Sequence, residues 1–130
     1  MMRVVAPAGA IKPTGPWNLA ARAGDFLYVA GMRGIDPATD ALVEGDEARV
    51  RQAFANMAHI AGSAGASLTD CVRLVVYVTD MARLRPLVNQ VQDALWPPGS
   101  FPPRTIVEVR RLNQDDIVEV EGTFYVPQRN

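Results

Sequence analysis

Four segments of the chain have the apolar pattern of β-strands: residues 26–31, 72–79, 105–110 and 117–126. In the last segment Val118, Val120 and Phe124 alternate with mostly polar or charged residues, so one of its faces belongs in a core. The 72–79 segment is apolar on both faces, because Val75 and Tyr77 lie opposite its core side. That core side is predicted to carry Val72, Leu74, Val76 and Val78.

Two segments have apolar residues at helical spacing. The first helix is predicted to start at an N-cap, Asp46, and to end at Gly62; its buried stripe is Val50, Phe54, Met57 and Ala61. The second opens at Asp80 and ends at the Trp96-Pro97-Pro98-Gly99 stretch. Its buried stripe is predicted to be Leu84, Leu87, Val88, Val91 and Leu95.

The order β-α-β-α-β-β predicts one α+β domain over residues 1–130, with two helices packed on one face of a sheet. Residues 7–16, rich in Pro and Gly, read as an irregular arm over this domain. The opposite sheet face, with Val75, Tyr77 and Tyr125, then needs other cover. A second copy of the chain is the simplest source, although an antiparallel sheet can also leave one face in water.

Charge and composition exclude several classes of function. The net charge of −1 over 130 residues offers no basic surface for nucleic acid or an anionic membrane. No apolar run approaches the roughly 20 residues that span a bilayer, and no signal peptide is apparent, which predicts a cytoplasmic protein. The one cysteine, Cys71, is expected to be a buried structural thiol, and the one histidine, His59, a surface side chain.

Familiar catalytic and cofactor motifs are missing from the sequence. One His and one Cys cannot supply a convincing nucleophilic triad or a structural zinc site. Neither a P-loop nor a dinucleotide fingerprint is present. What remains is Arg104, which follows two prolines and immediately precedes a strand, and the carboxylates Glu119 and Glu121 on the final strand.

The roles of these residues stay open from the residues alone. A guanidinium on a rigid backbone can bind a carboxylate through two parallel hydrogen bonds. Taken alone, however, an arginine at a strand end more often pairs with a structural carboxylate. Glu119 and Glu121 could face solvent, as charged strand residues usually do. If their face lines a pocket or an interface, a carboxylate there could orient water or exchange a proton.

In this order and at these spacings, motifs along nearly the whole chain resemble the YjgF/RidA family of imine deaminases. They are residues 15–17 (GPW), 24–31 (GDFLYVAG), 36–37 (DP), 42–46 (LVEGD), 65–70 (GASLTD), 76–81 (VYVTDM), Asn89, 103–109 (PRTIVEV), Leu112 and 117–121 (IVEVE). The most specific of them is the closing pair of strands, 103–109 and 117–121.

The resemblance implies a chorismate-mutase-like α+β fold and a homotrimer with pockets between subunits. It implies that Arg104 holds the carboxylate of a small imine or enamine substrate and that Glu119 positions the attacking water. Trp17, Gly31, Asn89 and Ile106 are then the substrate-binding positions, listed here by their match to the family pattern. It implies no metal and no organic cofactor.

Departures from the family pattern change the expected substrate. Ala30 stands where a serine is usual, Ile106 where a cysteine is frequent, Trp17 replaces a tyrosine and Met32 a glutamine. We therefore expect a bulkier or less polar substrate than 2-iminopropionate. The alternative function is a non-catalytic trimer that binds small metabolites in the same clefts. RNA cleavage, a third possibility, is disfavoured by the net charge and the lack of a histidine pair.

Overall fold

A computed structural model describes residues 2–128. Its strands are β1 (Arg3–Val5), β2 (Ala20–Ala23), β3 (Phe26–Arg33), β4 (Ile35–Asp36), β5 (Ala41–Leu42), β6 (Cys71–Val78), β7 (Arg104–Glu108) and β8 (Val118–Tyr125). Its α-helices are α1 (Asp46–Ser63) and α2 (Met81–Leu95), and short 3₁₀ helices occupy Leu68–Asp70 and Asn113–Asp115. Within the described residues, neither α-helix is long and apolar enough to cross a membrane.

Six strands form one mixed sheet in the order β1-β2-β3-β8-β6-β7. All neighbours are antiparallel except β6 and β7, which run parallel and are joined through α2. The strands β4 and β5 form a separate small hairpin. Both helices pack on the same face of the sheet, which confirms the predicted α+β arrangement.

The hydrophobic core lies between the two helices and the sheet. The predicted α1 stripe is confirmed, because Val50, Phe54, Met57 and Ala61 are all fully buried. In α2 the prediction was wrong at Leu95, which is 38% exposed. The chain leaves the helix at the next residue in an extended conformation and buries Trp96 instead, whose ring packs edge-on against Phe54 while its Nε1 donates to Leu68 O at 2.8 Å.

Two local predictions differ from the structure for backbone reasons. The N-cap of α1 is Gly45, at φ 93°, and Asp46 is the first helical residue. Val72 is 42% exposed rather than buried, because a β-bulge between Cys71 and Arg73 turns it out of the core face. Cys71 itself is buried and His59 is exposed, as predicted.

The sheet face opposite the helices carries an exposed aromatic cluster. Phe26, Tyr28 and Tyr125 are 38%, 50% and 45% exposed. Their rings contact one another, with centroids 5.5 Å apart for Phe26–Tyr125 and 6.5 Å for Phe26–Tyr28. Val75 and Tyr77 on the same face are only half-buried. This face, called the open face below, is the one for which the sequence predicts a covering partner.

Candidate functional site

A bulge in β3 brings the backbone against Glu119. The pairing of β3 with β8 shifts register between Val29 and Met32, so Ala30 and Gly31 leave the regular ladder. A Cβ at Gly31 would lie 2.5 Å from Oε2 of Glu119, far inside contact distance. Position 31 therefore has to be glycine for the Glu119 side chain to occupy its place.

Glu119 lies in a cleft of about 310 Å³ between the N-terminal arm, β3 and the loop before β8. We call it the Glu119 cleft; it is lined by Ile11, Lys12, Thr14, Trp17, Ala30, Gly31, Arg33, Ile35, Asn113 and Glu119. Three of the predicted site residues, Trp17, Gly31 and Glu119, are thus brought together. The cleft joins apolar walls to a carboxylate and two cationic side chains.

The carboxyl group of Glu119 is half-buried and close to an arginine. Burial raises its pKa above the ordinary glutamate value, and the charges of Glu121 and Asp116 act in the same direction. Arg33, whose Nε lies 3.9 Å from Oε1 of Glu119, lowers the pKa and opposes these effects. The net result is a pKa above that of a solvent-exposed glutamate.

Arg33 belongs to a buried ionic network behind the cleft. Its Nη1 donates to Asn113 O and its Nη2 to Oε1 of Gln114, both at 2.8 Å. Nη1 also lies 3.5 Å from the buried carboxylate of Asp116, which pairs with Arg49 at 3.1 Å. These contacts hold the terminal nitrogens of the Arg33 guanidinium in place.

Arg104 begins the edge strand β7 and turns toward α2. Its Nη1 donates to Oδ1 of Asn89 and to Oε1 of Gln92, each at 2.7 Å. No carboxylate lies within ion-pair distance of it among residues 2–128. The described residues thus give no support to the structural ion pair that the sequence left open.

The guanidinium of Arg104 is a cation held by two neutral oxygens. Burial, and secondarily the charge of Arg85, lower its pKa, but an arginine remains charged at any ordinary pH. Its Nε and Nη2 make no hydrogen bond within the described part of the chain. The adjoining cleft, of about 340 Å³, is called the Arg104 cleft and is lined by Asn89, Gln92, Asp93, Phe101, Pro102 and Arg104.

The two predicted catalytic residues lie on opposite faces of the sheet. Arg104 is paired in parallel with the buried Leu74, so it projects on the helix side. Glu119 is paired with Tyr77 and projects on the open face. One strand and three residues of register separate them, which places their Cα atoms about 14 Å apart. Within one chain they therefore belong to different clefts.

Of the remaining predicted positions, only Asn89 lies in one of the two clefts. Asn89 contacts Arg104 directly, whereas Ile106 is half-buried against the core and lines neither cleft in the single chain. Met32 is fully buried in the core, so its departure from the family pattern does not alter either cleft.

Sequence reasoning missed Gln92 and Arg33. The spacing of Gln92 three residues after Asn89, on one helix face, was the available signal for the first; nothing in the strand pattern distinguished Arg33. For metals, no group of three or more potential ligand side chains lies together among residues 2–128.

Comparisons with known proteins agree with this architecture. A model of the Endoribonuclease L-PSP family matches residues 7–126. A RutC family protein of Pyrococcus horikoshii is 39% identical over 96% of this chain and 98% of its own length. The Salmonella typhimurium protein named 2-iminobutanoate/2-iminopropanoate deaminase is 31% identical over 94% and 96%.

A solved structure from Rhodopseudomonas palustris, described as a probable translation initiation inhibitor, superposes with a TM-score of 0.95. It is 49% identical in sequence, and the match covers 98% of this chain and 100% of that one. The chain thus belongs to the Endoribonuclease L-PSP family, which is the YjgF/RidA family that its motifs resemble.

Proposed function

We propose that this protein hydrolyses imines or enamines of small carboxylic acids to the corresponding keto acids and ammonia. The observation that carries the proposal is the state of Arg104, a fixed cation whose hydrogen-bond partners are neutral and which pairs with no carboxylate of the described residues, Asp93 of the same cleft included. Such a group binds an external carboxylate through its unused N–H donors. The name of the Salmonella relative, an imine deaminase, supports the same reaction.

The proposed chemistry needs orientation and proton transfer more than activation. An enamine is first protonated at carbon to give the imine, which is already electrophilic. Water held by the Glu119 carboxylate attacks the C=N carbon and gives up a proton, so that a carbinolamine forms. The nitrogen is protonated, the C–N bond breaks, ammonia leaves and the hydroxyl becomes the carbonyl. No step changes the oxidation state of the substrate.

Two chains have to contribute to such a site. Arg104 and Glu119 face opposite sides of one sheet, so a substrate held by one could not reach the other within a single chain. We propose a homotrimer in which the Arg104 cleft of one chain faces the Glu119 cleft of its neighbour. The exposed aromatic side chains of the open face, Phe26, Tyr28 and Tyr125, would be covered by this assembly.

The walls of the Glu119 cleft indicate the substrate class. Trp17, Ala30, Ile11 and Ile35 give it apolar surface where a substrate side chain would lie. We propose that imines with larger apolar side chains are better substrates than 2-iminopropionate. Gly31 would bring its backbone close to the reacting carbon, Asn89 would hold Arg104, and Ile106 would complete the wall at the junction of the chains.

The test is release of ammonia and keto acid from imines generated in place by an amino-acid oxidase, compared with their uncatalysed hydrolysis. We expect acceleration by the wild type and a much smaller acceleration by Arg104→Ala or Glu119→Gln. Co-expressing these two variants tests the shared site: random assortment restores both groups in about a quarter of intersubunit sites. If each site lay within one chain, the mixture would stay inactive.

A second candidate function rests on the Arg104 cleft alone. Because that cleft carries a cation without Glu119, a non-catalytic trimer could bind carboxylate metabolites there. Binding of 2-keto acids to Arg104 by the wild type, with no acceleration of any imine tested, would favour it. RNA cleavage is not supported by the histidine of this chain, His59. It is exposed, its Nε2 lies 3.1 Å from Ala8 O, and it lines neither cleft.

A further inference from the structure

We propose that Arg33 is a positioning residue for Glu119: its buried charge attracts the carboxylate in the cleft and favours the ionised form that orients water. The inference deepens the proposed function, because it concerns the water-orienting group of the same site. It rests on the contacts of the Arg33 guanidinium with Asn113, Gln114 and Asp116, which leave its Nε near Glu119.

The geometry makes Arg33 a rigid charge rather than a mobile surface arginine. Its side chain is only 8% exposed, and its terminal nitrogens are occupied by Asn113 O, Oε1 of Gln114 and the nearby Asp116 carboxylate. The nitrogen that remains, Nε, lies 3.9 Å from Oε1 of Glu119, beyond hydrogen-bond length. Arg33 therefore acts on Glu119 through its charge and can leave the carboxylate oxygens for water.

The other charges around Glu119 do not replace this effect. On β8 itself, Asp116 precedes the strand and Glu121 follows Glu119, and both disfavour its ionisation. From β6, Tyr77 donates a short hydrogen bond to Glu121. The cation of β6 on this face, Arg73, is paired opposite Thr123, four residues along the strand from the Tyr77–Glu119 pair. Lys12 of the arm lines the same cleft but is exposed. Arg49 of α1 pairs with Asp116.

Removing Arg33 should leave the surrounding network intact. Asp116 keeps Arg49 at 3.1 Å and accepts from the backbone N–H groups of Gly34 at 3.0 Å and Ile117 at 2.7 Å. Arg33→Gln retains much of the side-chain volume and its ability to donate to Asn113 O. It removes the charge, whereas Arg33→Lys keeps it.

The test measures the Glu119 carboxyl group directly, by ¹³C NMR titration of the full-length protein, with its resonance assigned through Glu119→Gln. We expect the titration midpoint of Glu119 to rise in Arg33→Gln and to stay near the wild-type value in Arg33→Lys. Arg51→Gln removes a charge that pairs with Glu47 on the exposed side of α1 and should change nothing. Thermal unfolding of each variant reports on folding.

A second measurement separates this inference from the proposed function. If imines are hydrolysed, the acidic limb of kcat/KM should move to higher pH in Arg33→Gln, with activity recovering at alkaline pH. A protein without deaminase activity would still show the NMR shift, which would refute the function and support the role of Arg33. An unmoved Glu119 midpoint in folded Arg33→Gln overturns the inference, whatever the activity.

Discussion

Arg104 and Glu119 project from opposite faces of one sheet, with strand β6 between the strands that carry them. They are close in the sequence, in the motifs 103–109 and 117–121, but the fold of one subunit keeps them apart. Each nonetheless lies in a cleft: two amide oxygens accept from Arg104, and the Arg33 guanidinium lies 3.9 Å from Glu119. Because of this separation, a variant in the Arg104 cleft and one in the Glu119 cleft of the same chain can be tested independently.

Replacing Arg104 should weaken the handling of the substrate carboxylate without unfolding the protein. Loss of a charge-assisted hydrogen bond costs about 1.5–3 kcal/mol, so Arg104→Ala should lower kcat/KM about 10- to 100-fold or more. Arg104→Lys should recover only part of this, because an ammonium lacks the planar pair of donors. The matched control is Arg110→Ala, which removes an exposed arginine two residues after the end of β7. Equal losses for Arg104→Ala and Arg110→Ala would contradict the assigned role.

Giving Arg104 a carboxylate of its own should block the site. Asn89→Asp places a charge where the amide oxygen now accepts from Nη1 at 2.7 Å. The internal carboxylate would compete with the carboxylate of the ligand, so binding of 2-keto acids measured by calorimetry should weaken, although hardly any volume changes. The control is Asp93→Asn, which removes a negative charge at an exposed residue of the same cleft and should not weaken 2-keto acid binding. Tighter or unchanged binding in Asn89→Asp would argue against Arg104 as the anion site.

The fold followed from the sequence where periodicity was strong. The stripe of Val50, Phe54 and Met57 and the alternation along β8 are local patterns with one physical solution, burial of one face. Strands β1 and β2 were missed because a three-residue strand and the segment 20–23 (AARA) carry hardly any strand signal; pairing with β3 makes them strands.

The site was predictable to a lesser degree, because its partners come from distant parts of the chain. The family pattern pointed to Arg104 and Glu119. Only the helical spacing from Asn89 indicated Gln92, and no pattern indicated that Arg33 would lie near Glu119. Those contacts depend on the register of β7 beside β6 and of β3 beside β8. Such registers are set by tertiary packing, which a single sequence does not display.

The free energy of unfolding should depend on pH through Glu119, because ionising this half-buried carboxyl group destabilises the folded state. Burial raises the carboxyl pKa in the folded state, so at pH values between the ordinary and the raised pKa the folded protein binds more protons than the unfolded chain. The free energy of unfolding therefore falls as pH rises through this window. Glu119→Gln has no carboxyl group to ionise at this position, so its stability does not fall in this window. The Tm of Glu119→Gln minus that of the wild type should therefore be larger at pH 7 than at pH 4. An advantage that shrinks with rising pH would contradict the sign.

Charge on the open face should disrupt the proposed trimer. Tyr28 is 50% exposed in the single chain and contacts Phe26 within the aromatic cluster. If this face is covered by neighbouring chains, Tyr28→Glu buries an unpaired charge and should yield smaller species by light scattering, with loss of activity. Leu95→Glu, on a comparably exposed apolar residue at the end of α2, is the control and should keep the wild-type mass. Unchanged mass in both variants would place the interface elsewhere.

Cys71 should be nearly inert in the native protein. It is 6% exposed, its Sγ donates to Arg73 O at 3.3 Å, and burial raises its pKa from 9.0 to about 11. At pH 8 a shift of that size lowers the thiolate fraction about 100-fold, while the greater nucleophilicity of a more basic thiolate restores about 10-fold. Labelling by a thiol reagent should therefore be at least about 10-fold slower in native protein than after unfolding in urea, with restricted access slowing it further. Equal labelling rates would mean that the β-bulge at Val72 exposes the thiol and that strand β6 opens readily at this end.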